Sequence, residues 1–188
     1  MIRSFLRPAS TFSPYDPGSP RVEPDVSTPA RLTAVQIEDE FRRDAAETGA
    51  FIAPDGRLML RKTGLPNRVG FLPEELTGMS GATFTHNHPG GLSFSLEDIV
   101  LAWELRLTEV RVVTTRFRHL AFAFTSVAPD EKELHAAYDL DQRRLVAQTR
   151  HKVIVEELHP ADFGTEVQHL TWVRLSRKYD FTYLRENS

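Results

Sequence analysis

Thr85-His86-Asn87-His88-Pro89-Gly90-Gly91-Leu92-Ser93-Phe94-Ser95-Leu96-Glu97-Asp98 is the stretch on which the reading of this chain turns. Thr83, Phe84 and Thr85 favour an extended backbone, so Ala82 to His88 reads as a strand. Alternate residues of a strand face the same way, which puts the imidazoles of His86 and His88 on one side. Pro89-Gly90-Gly91 ends the strand and lets the chain reverse. Ser95, with Asp98 three residues later, marks a helix start whose side chains project from one face back toward the strand. Two imidazoles and a carboxylate are thereby brought together. Three protein ligands of this kind fit a catalytic rather than a structural zinc site, because the fourth tetrahedral position is left for water, which the cation acidifies toward neutrality. Taken singly, His-x-His is usually a solvated or hydrogen-bonded pair and Ser-x-x-Asp usually only a helix cap; the order strand, glycine reversal, helix start is what joins them.

Working outward, Thr33 with Gln36 forms a capping-box pattern. Ala34, Ile37, Phe41 and Ala45 then recur at helical spacing to about Glu47, with Glu38, Arg42 and Arg43 on the outer face. Ala50 to Ala53, an Asp55-Gly56 turn and Arg57 to Arg61 read as a hairpin. Val69 to Phe71 reads as a short strand and Pro73 as the start of a helical turn. Beyond Asp98, Ile99, Ala102, Trp103 and Leu107 supply an apolar helical stripe, and Val110 to Thr115 and His119 to Ser126 read as strands. A long charged helix follows from Pro129 to about Leu158 with Leu134, Tyr138, Leu145 and Val153 on one face, then a helix over 161–178 and a short terminal segment. The fold class is therefore α/β of the α+β type: a mixed sheet flanked by helices, with a C-terminal helical extension. Three regions are expected: a Pro-rich, disordered tail at 1–31, a catalytic core at 32–128, and C-terminal helices packing on that core at 129–188.

The 188 residues allow one compact domain with an appendage. Lys plus Arg is 23 against 26 Asp plus Glu, a net charge of -3, which argues against avid phosphate binding and makes nucleic acid an unfavoured partner. The absence of cysteine excludes a disulfide framework, a thiolate nucleophile and a thiolate metal site, leaving His and carboxylates as ligands. No window has the apolar run of a membrane span, and Pro8 cuts short the weak apolar start of Ile2, Phe5 and Leu6, so a cytoplasmic protein without membrane partners is expected.

The pattern His86-x-His88-Pro89 followed by Ser95-x-x-Asp98 resembles the signature of the JAMM (JAB/MPN) zinc metalloproteases, a family that includes the RadC-like proteins with their His-Asn-His-Pro segment. The likeness covers mainly residues 47–98, and the loop Pro89 to Phe94 is one residue shorter than the family's usual one, which leaves Ser93 as an alternative to Ser95. The resemblance implies a JAB/MPN-like mixed sheet. It also implies Zn2+ held by His86, His88 and Asp98, oxyanion stabilisation by Ser95, and a general base far upstream. Five carboxylates compete for that last role: Glu38, Glu40, Glu47, Glu74 and Glu75. Glu47-Thr48-Gly49-Ala50-Phe51-Ile52 resembles the family's glutamate context, with the glycine one place early, and Glu47 is the choice. The implied activity is a zinc-dependent peptidase or isopeptidase acting on a protein or peptide, ubiquitin-like modifiers among them. Two rivals remain open: a metal-binding but non-hydrolytic docking module, and a RadC-like DNA-associated factor drawing on the basic run Arg143, Arg144, Arg150 and Lys152. His119, His135, His151, His159 and His169 read as surface or packing residues, and Trp103, Trp172, Tyr138 and Tyr183 as core or helix-docking anchors.

Overall fold

The computed structural model describes Tyr15 and residues 22–187. In chain order the elements are α1 (Pro29–Phe41), β1 (Thr48–Ile52), β2 (Leu58–Thr63), β3 (Thr83–Asn87), α2 (Leu96–Glu104), β4 (Glu109–Val113), β5 (Phe117–Phe122) and α3 (Glu131–Ile154); a single 3-10 turn at Pro160–Asp162 then leads into α4 (Phe163–Lys178) and β6 (Thr182–Asn187). The strands form one mixed sheet in the order β2-β1-β3-β4-β5-β6. Only β3 and β4 run parallel, joined through α2; the other pairs are antiparallel. The α+β fold class read from the sequence is the one observed. Among the described residues no helix is long and apolar enough to cross a membrane.

Strand alternation divides the core between the two faces of the sheet. Ala50 and Ile52 of β1 and Val113 of β4 meet Ala30, Ala34, Ile37 and Phe41 of α1. Phe51, Phe84, Val110 and Val112 point the other way, into a larger core with Ile99 and Trp103 of α2, Leu134 of α3, Trp172 and Leu175 of α4, and Tyr183 of β6. The C-terminal helices thus share the core of the strands rather than resting on it.

Helix α1 starts earlier than the sequence pattern indicates. Thr28 is the cap, its hydroxyl accepting from the Arg31 amide, and Pro29 takes the first helical position, where a missing N–H costs nothing. Thr33, expected to cap, instead donates its hydroxyl to the Gly56 carbonyl. The last residues of the expected tail are therefore helical, and Val22 donates its amide to the Asn187 carbonyl beside β6. Tyr15 lies between the Arg116 and Arg185 guanidiniums, each 5.3 Å from its ring centroid, and its hydroxyl donates to Glu166 at 2.9 Å. Residues 1–14 and 16–21 of that expected tail lie outside the described residues.

Two further expectations are corrected. Val69 to Phe71 forms no strand: the Val69 N–H is taken by the Glu47 carboxylate, so it has no ladder partner to offer, and only a Leu65–Arg68 bridge marks this stretch. The terminal segment is a full strand, β6, paired along β5.

The largest departure is Glu38, read from helical periodicity as part of the outer face. It is fully buried. Arg111 Nε donates to it at 2.6 Å, Arg118 Nε at 2.9 Å and the Thr85 hydroxyl at 2.9 Å, while Arg111 also donates to Glu109 at 2.6 Å. Burial pushes the Glu38 carboxyl up, but the two guanidiniums and the hydroxyl outweigh it and hold the group below the ordinary carboxylate value. Substituting Glu38→Gln leaves two buried guanidiniums short of a counter-charge and is expected to cost about 3–5 kcal/mol, read as a lower urea midpoint at unchanged slope. Because the folded value is depressed, the carboxylate stabilises fully above its unfolded pKa and ceases to do so as pH falls through the folded one. The parent's stability should therefore fall on acidification across that window, and the Gln variant's less steeply.

Candidate metal centre

On β3 the side chains of Phe84 and His86 share one face, their rings stacked at 4.9 Å, and His86 is fully buried. His88, one step beyond the strand, keeps the ladder going by donating its amide to the Val113 carbonyl. The chain then reverses: the Gly91 amide closes on the His88 carbonyl at 3.0 Å, with Gly91 at φ 76°, a conformation that glycine adopts without strain. This tight turn brings two carbonyls under the His88 ring, so that Nδ1 lies 2.9 Å from Ser93 O and 3.2 Å from Leu92 O. Carbonyls only accept, so Nδ1 carries the proton. In the neutral ring Nε2 is then left with a bare lone pair, the tautomer that metal-ligating histidines show when a carbonyl holds the other ring nitrogen.

Helix α2 supplies the carboxylate. Ser95 caps it, its hydroxyl oxygen accepting from the Asp98 amide at 3.2 Å, while Asp98 Oδ2 accepts from the Ser95 amide at 2.7 Å. This capping box fixes Asp98 so that Oδ1 is 3.2 Å from His86 Nε2 and Oδ2 is 3.7 Å from His88 Nε2; the two Nε2 atoms are 3.0 Å apart. With zinc–nitrogen bonds of about 2.0–2.1 Å, ligand atoms around a tetrahedral ion stand about 3.3 Å from one another; the two Nε2 atoms, and His86 Nε2 with Asp98 Oδ1, are near that spacing, while the approach to His88 is made by the other Asp98 oxygen.

Glu47 closes the cluster from the turn before β1. Ligand atoms of Glu47, His86 and His88 all lie within 4.8 Å of one another, so this group could hold a metal ion. Its backbone is pinned on both sides: the Glu47 amide donates to Leu65 O, the Gly64 amide to Glu47 O, and the Val69 amide to Glu47 Oε1 at 3.2 Å. Asn87, between the two histidines, points to the opposite face of β3 and grips the same turn, accepting from the Thr48 amide at 2.7 Å and donating to the Ala46 carbonyl at 3.1 Å. Sequence reading assigned Asn87 no such part, because nothing local links it to residues so far upstream.

The electrostatics follow from this crowding. Burial raises the Glu47 carboxyl above its ordinary value, with His86 and the Val69 amide only partly opposing it. Burial and the neighbouring His86 lower His88. For His86, burial pulls down but Asp98 and Glu47 pull harder, and the imidazole ends raised. Asp98, despite burial, is held below the ordinary range by His86, His88 and the Ser95 bond.

The structure therefore brings together every site residue chosen from the sequence: Glu47, His86, His88, Ser95 and Asp98. Glu47, His88, Ser95 and Asp98 line a cleft of about 1030 Å³ together with Arg68, Phe71, Leu76 and Leu101, while His86 is fully buried and does not line it. No protein-family model, curated protein or solved structure matches the chain.

Three of the rejected carboxylates are engaged in ion pairs. Glu38 is committed to Arg111 and Arg118, Glu40 pairs with Arg61 at 2.5 Å, and Glu75 pairs with Lys62 at 2.8 Å. Glu74 does not line the cleft. Ser93, the alternative to Ser95, is fully buried, with its hydroxyl 3.3 Å from that of Tyr183. His119 is fully buried too, its Nδ1 2.9 Å from the Tyr183 hydroxyl.

A Cβ added at Gly64 would stand 2.3 Å from the Arg68 carbonyl oxygen and 2.8 Å from Val69 Cα. Gly64→Ala must therefore displace the turn that donates to Glu47. Overpacking of this kind costs about 1–3 kcal/mol. Hydrogen exchange should show the Val69 amide, bonded in the parent, exchanging at the rate of an open amide.

Proposed function

We propose that the protein is a zinc-dependent peptidase or isopeptidase of the JAMM type, acting on a protein or peptide amide bond. The convergence of His86 Nε2, His88 Nε2 and Asp98 at spacings close to a tetrahedral edge, with Glu47 beside them, carries this reading. His86, His88 and Asp98 would hold the ion. Asp98 is taken as the third ligand because its Oδ1 stands 3.2 Å from His86 Nε2 and its Oδ2 3.7 Å from His88 Nε2; Glu47, whose ligand atom lies within 4.8 Å of both imidazoles, is the competitor for that place. A bound divalent zinc ion supplies Lewis acidity, polarising a carbonyl and acidifying water.

The chain's own groups divide the rest of the work. Glu47 takes the proton from the water whose oxygen adds to the scissile carbonyl carbon. A carboxyl raised by burial is suited to this, since it must also give the proton back. The Ser95 oxygen already accepts from the Asp98 amide, which leaves its own hydrogen to donate to the carbonyl oxygen as negative charge builds there. When the carbon–nitrogen bond breaks, Glu47 returns the proton to the leaving nitrogen. Phe71, Leu76 and Leu101 offer an apolar wall for a polypeptide chain.

Elemental analysis of the purified protein is expected to give about one zinc per chain, lost in His86→Ala and His88→Ala. Glu47→Gln separates base from ligand: it should keep the metal yet lose about 10²–10⁴-fold in turnover of a quenched-fluorescence peptide library or a ubiquitin-like fusion. Loss of the metal in that variant would make Glu47 a ligand. Stoichiometric zinc with no turnover on any of these substrates would instead leave a non-hydrolytic docking module. Protons compete with the ion for both imidazoles, so zinc affinity measured by chelator competition should weaken steadily as pH is lowered.

A further inference from the structure

His88 is aimed by the loop that follows it, and that loop is held by the far end of the chain. With Gly90 and Gly91 side by side, the segment leaving His88 has more backbone freedom than any ordinary loop of its length. Yet the Leu92 and Ser93 carbonyls, which fix the His88 ring, belong to it. What restrains them comes from α4 and β6. Gln168 and Trp172, one helical turn apart, each donate to the Phe94 carbonyl at 2.9 Å, using both of its lone pairs. Tyr183 holds the neighbouring residue: its hydroxyl meets Ser93 Oγ at 3.3 Å, His119 Nδ1 at 2.9 Å and His169 Nδ1 at 3.0 Å. The Phe94 ring sits edge-on to both Trp172 and Tyr183, at 6.3 and 6.2 Å. Burial keeps both of these histidines low, His169 at about 4, so both imidazoles are neutral at ordinary pH.

We infer that Gln168, Trp172 and Tyr183 are positioning residues for His88: by fixing Ser93 and Phe94 they fix the acceptors of the His88 Nδ1 proton and so direct its Nε2 lone pair toward His86 and Asp98. The inference rests on His88 being a metal ligand, and it makes the C-terminal unit part of the site. Gln168 reaches the cleft directly; Trp172 and Tyr183 act only through the loop.

The test uses the full chain carrying Gln168→Ala, Tyr183→Phe or Trp172→Phe, with Trp103→Phe as a control in the same core, where its ring packs against Phe124 and Phe181. Two readouts are needed. Long-range proton–nitrogen spectra of the metal-free protein should show His88 in the Nδ1–H tautomer in the parent and in the control, and a mixture of tautomers in the three variants. Chelator competition should show zinc binding weakened about 10–100-fold in the same three variants, the range over which outer partners of metal ligands act. A merely structural role would lower the melting temperature, as Trp103→Phe is expected to, and move neither readout. Should Trp172→Phe fail to fold, the other two variants decide. His88 keeping its tautomer and zinc affinity staying within about twofold of the parent in Gln168→Ala and Tyr183→Phe would overturn the inference. If the parent binds no zinc, the metal-centre reading fails, while the tautomer comparison still judges the positioning role.

Discussion

Two imidazole nitrogens do not rest 3.0 Å apart with both lone pairs facing each other; an N–H hydrogen or a cation must lie between them. In this molecule the choice is narrow, because the Ser93 and Leu92 carbonyls commit the His88 proton to Nδ1, leaving Nε2 as an acceptor. Either His86 carries a proton toward His88 and Asp98, or a cation takes that place. The raised His86 and lowered Asp98 are in line with the first alternative, a protonated His86 facing the Asp98 carboxylate.

The sheet is arranged to impose this conflict. The one parallel pair, β3 and β4, requires a crossover, and α2 provides it, so the end of β3 and the start of α2 are forced into the same corner. Ligands of α/β sheets commonly gather at the carboxyl ends of strands for the same reason. The opposite face of β3 is polar as well, but fully satisfied: Thr85 serves Glu38, and Asn87 grips the turn carrying Glu47. A strand buried on both faces thus presents an imidazole that could ligate a metal to one side and partners of a neutralised ion cluster to the other.

What could be read from the sequence was what is local. His86, His88, Ser95 and Asp98 fall within one stretch, and period-two and capping rules are enough to turn them toward a common point. Glu47 could be chosen only through a resemblance, since its contact with the histidines crosses from one strand to another. Glu38 was misplaced for a related reason: helical periodicity assigns a face by polarity, and a glutamate goes inward only if its counter-charges exist, here 73 and 80 residues away. β6 escaped recognition because Tyr183 and Glu186 are its buried residues, a spacing that breaks strand alternation. Asn87, Gln168, Trp172 and Tyr183 carry no local sign of their contacts, and ordinary roles in core or loop describe them equally well until the chain is folded.

The capping box has one more effect. Asp98 and His88 are already drawn together by backbone amides and carbonyls, and His86 is seated in the sheet, so a cation at their meeting point would staple segments that are neighbours anyway. Closing so small a ring withdraws little freedom from the unfolded chain. The ion would then be a reagent more than a scaffold, in contrast to small zinc modules that come apart without theirs. If an ion does sit there, a chelator should remove it and leave the shape of the protein unchanged.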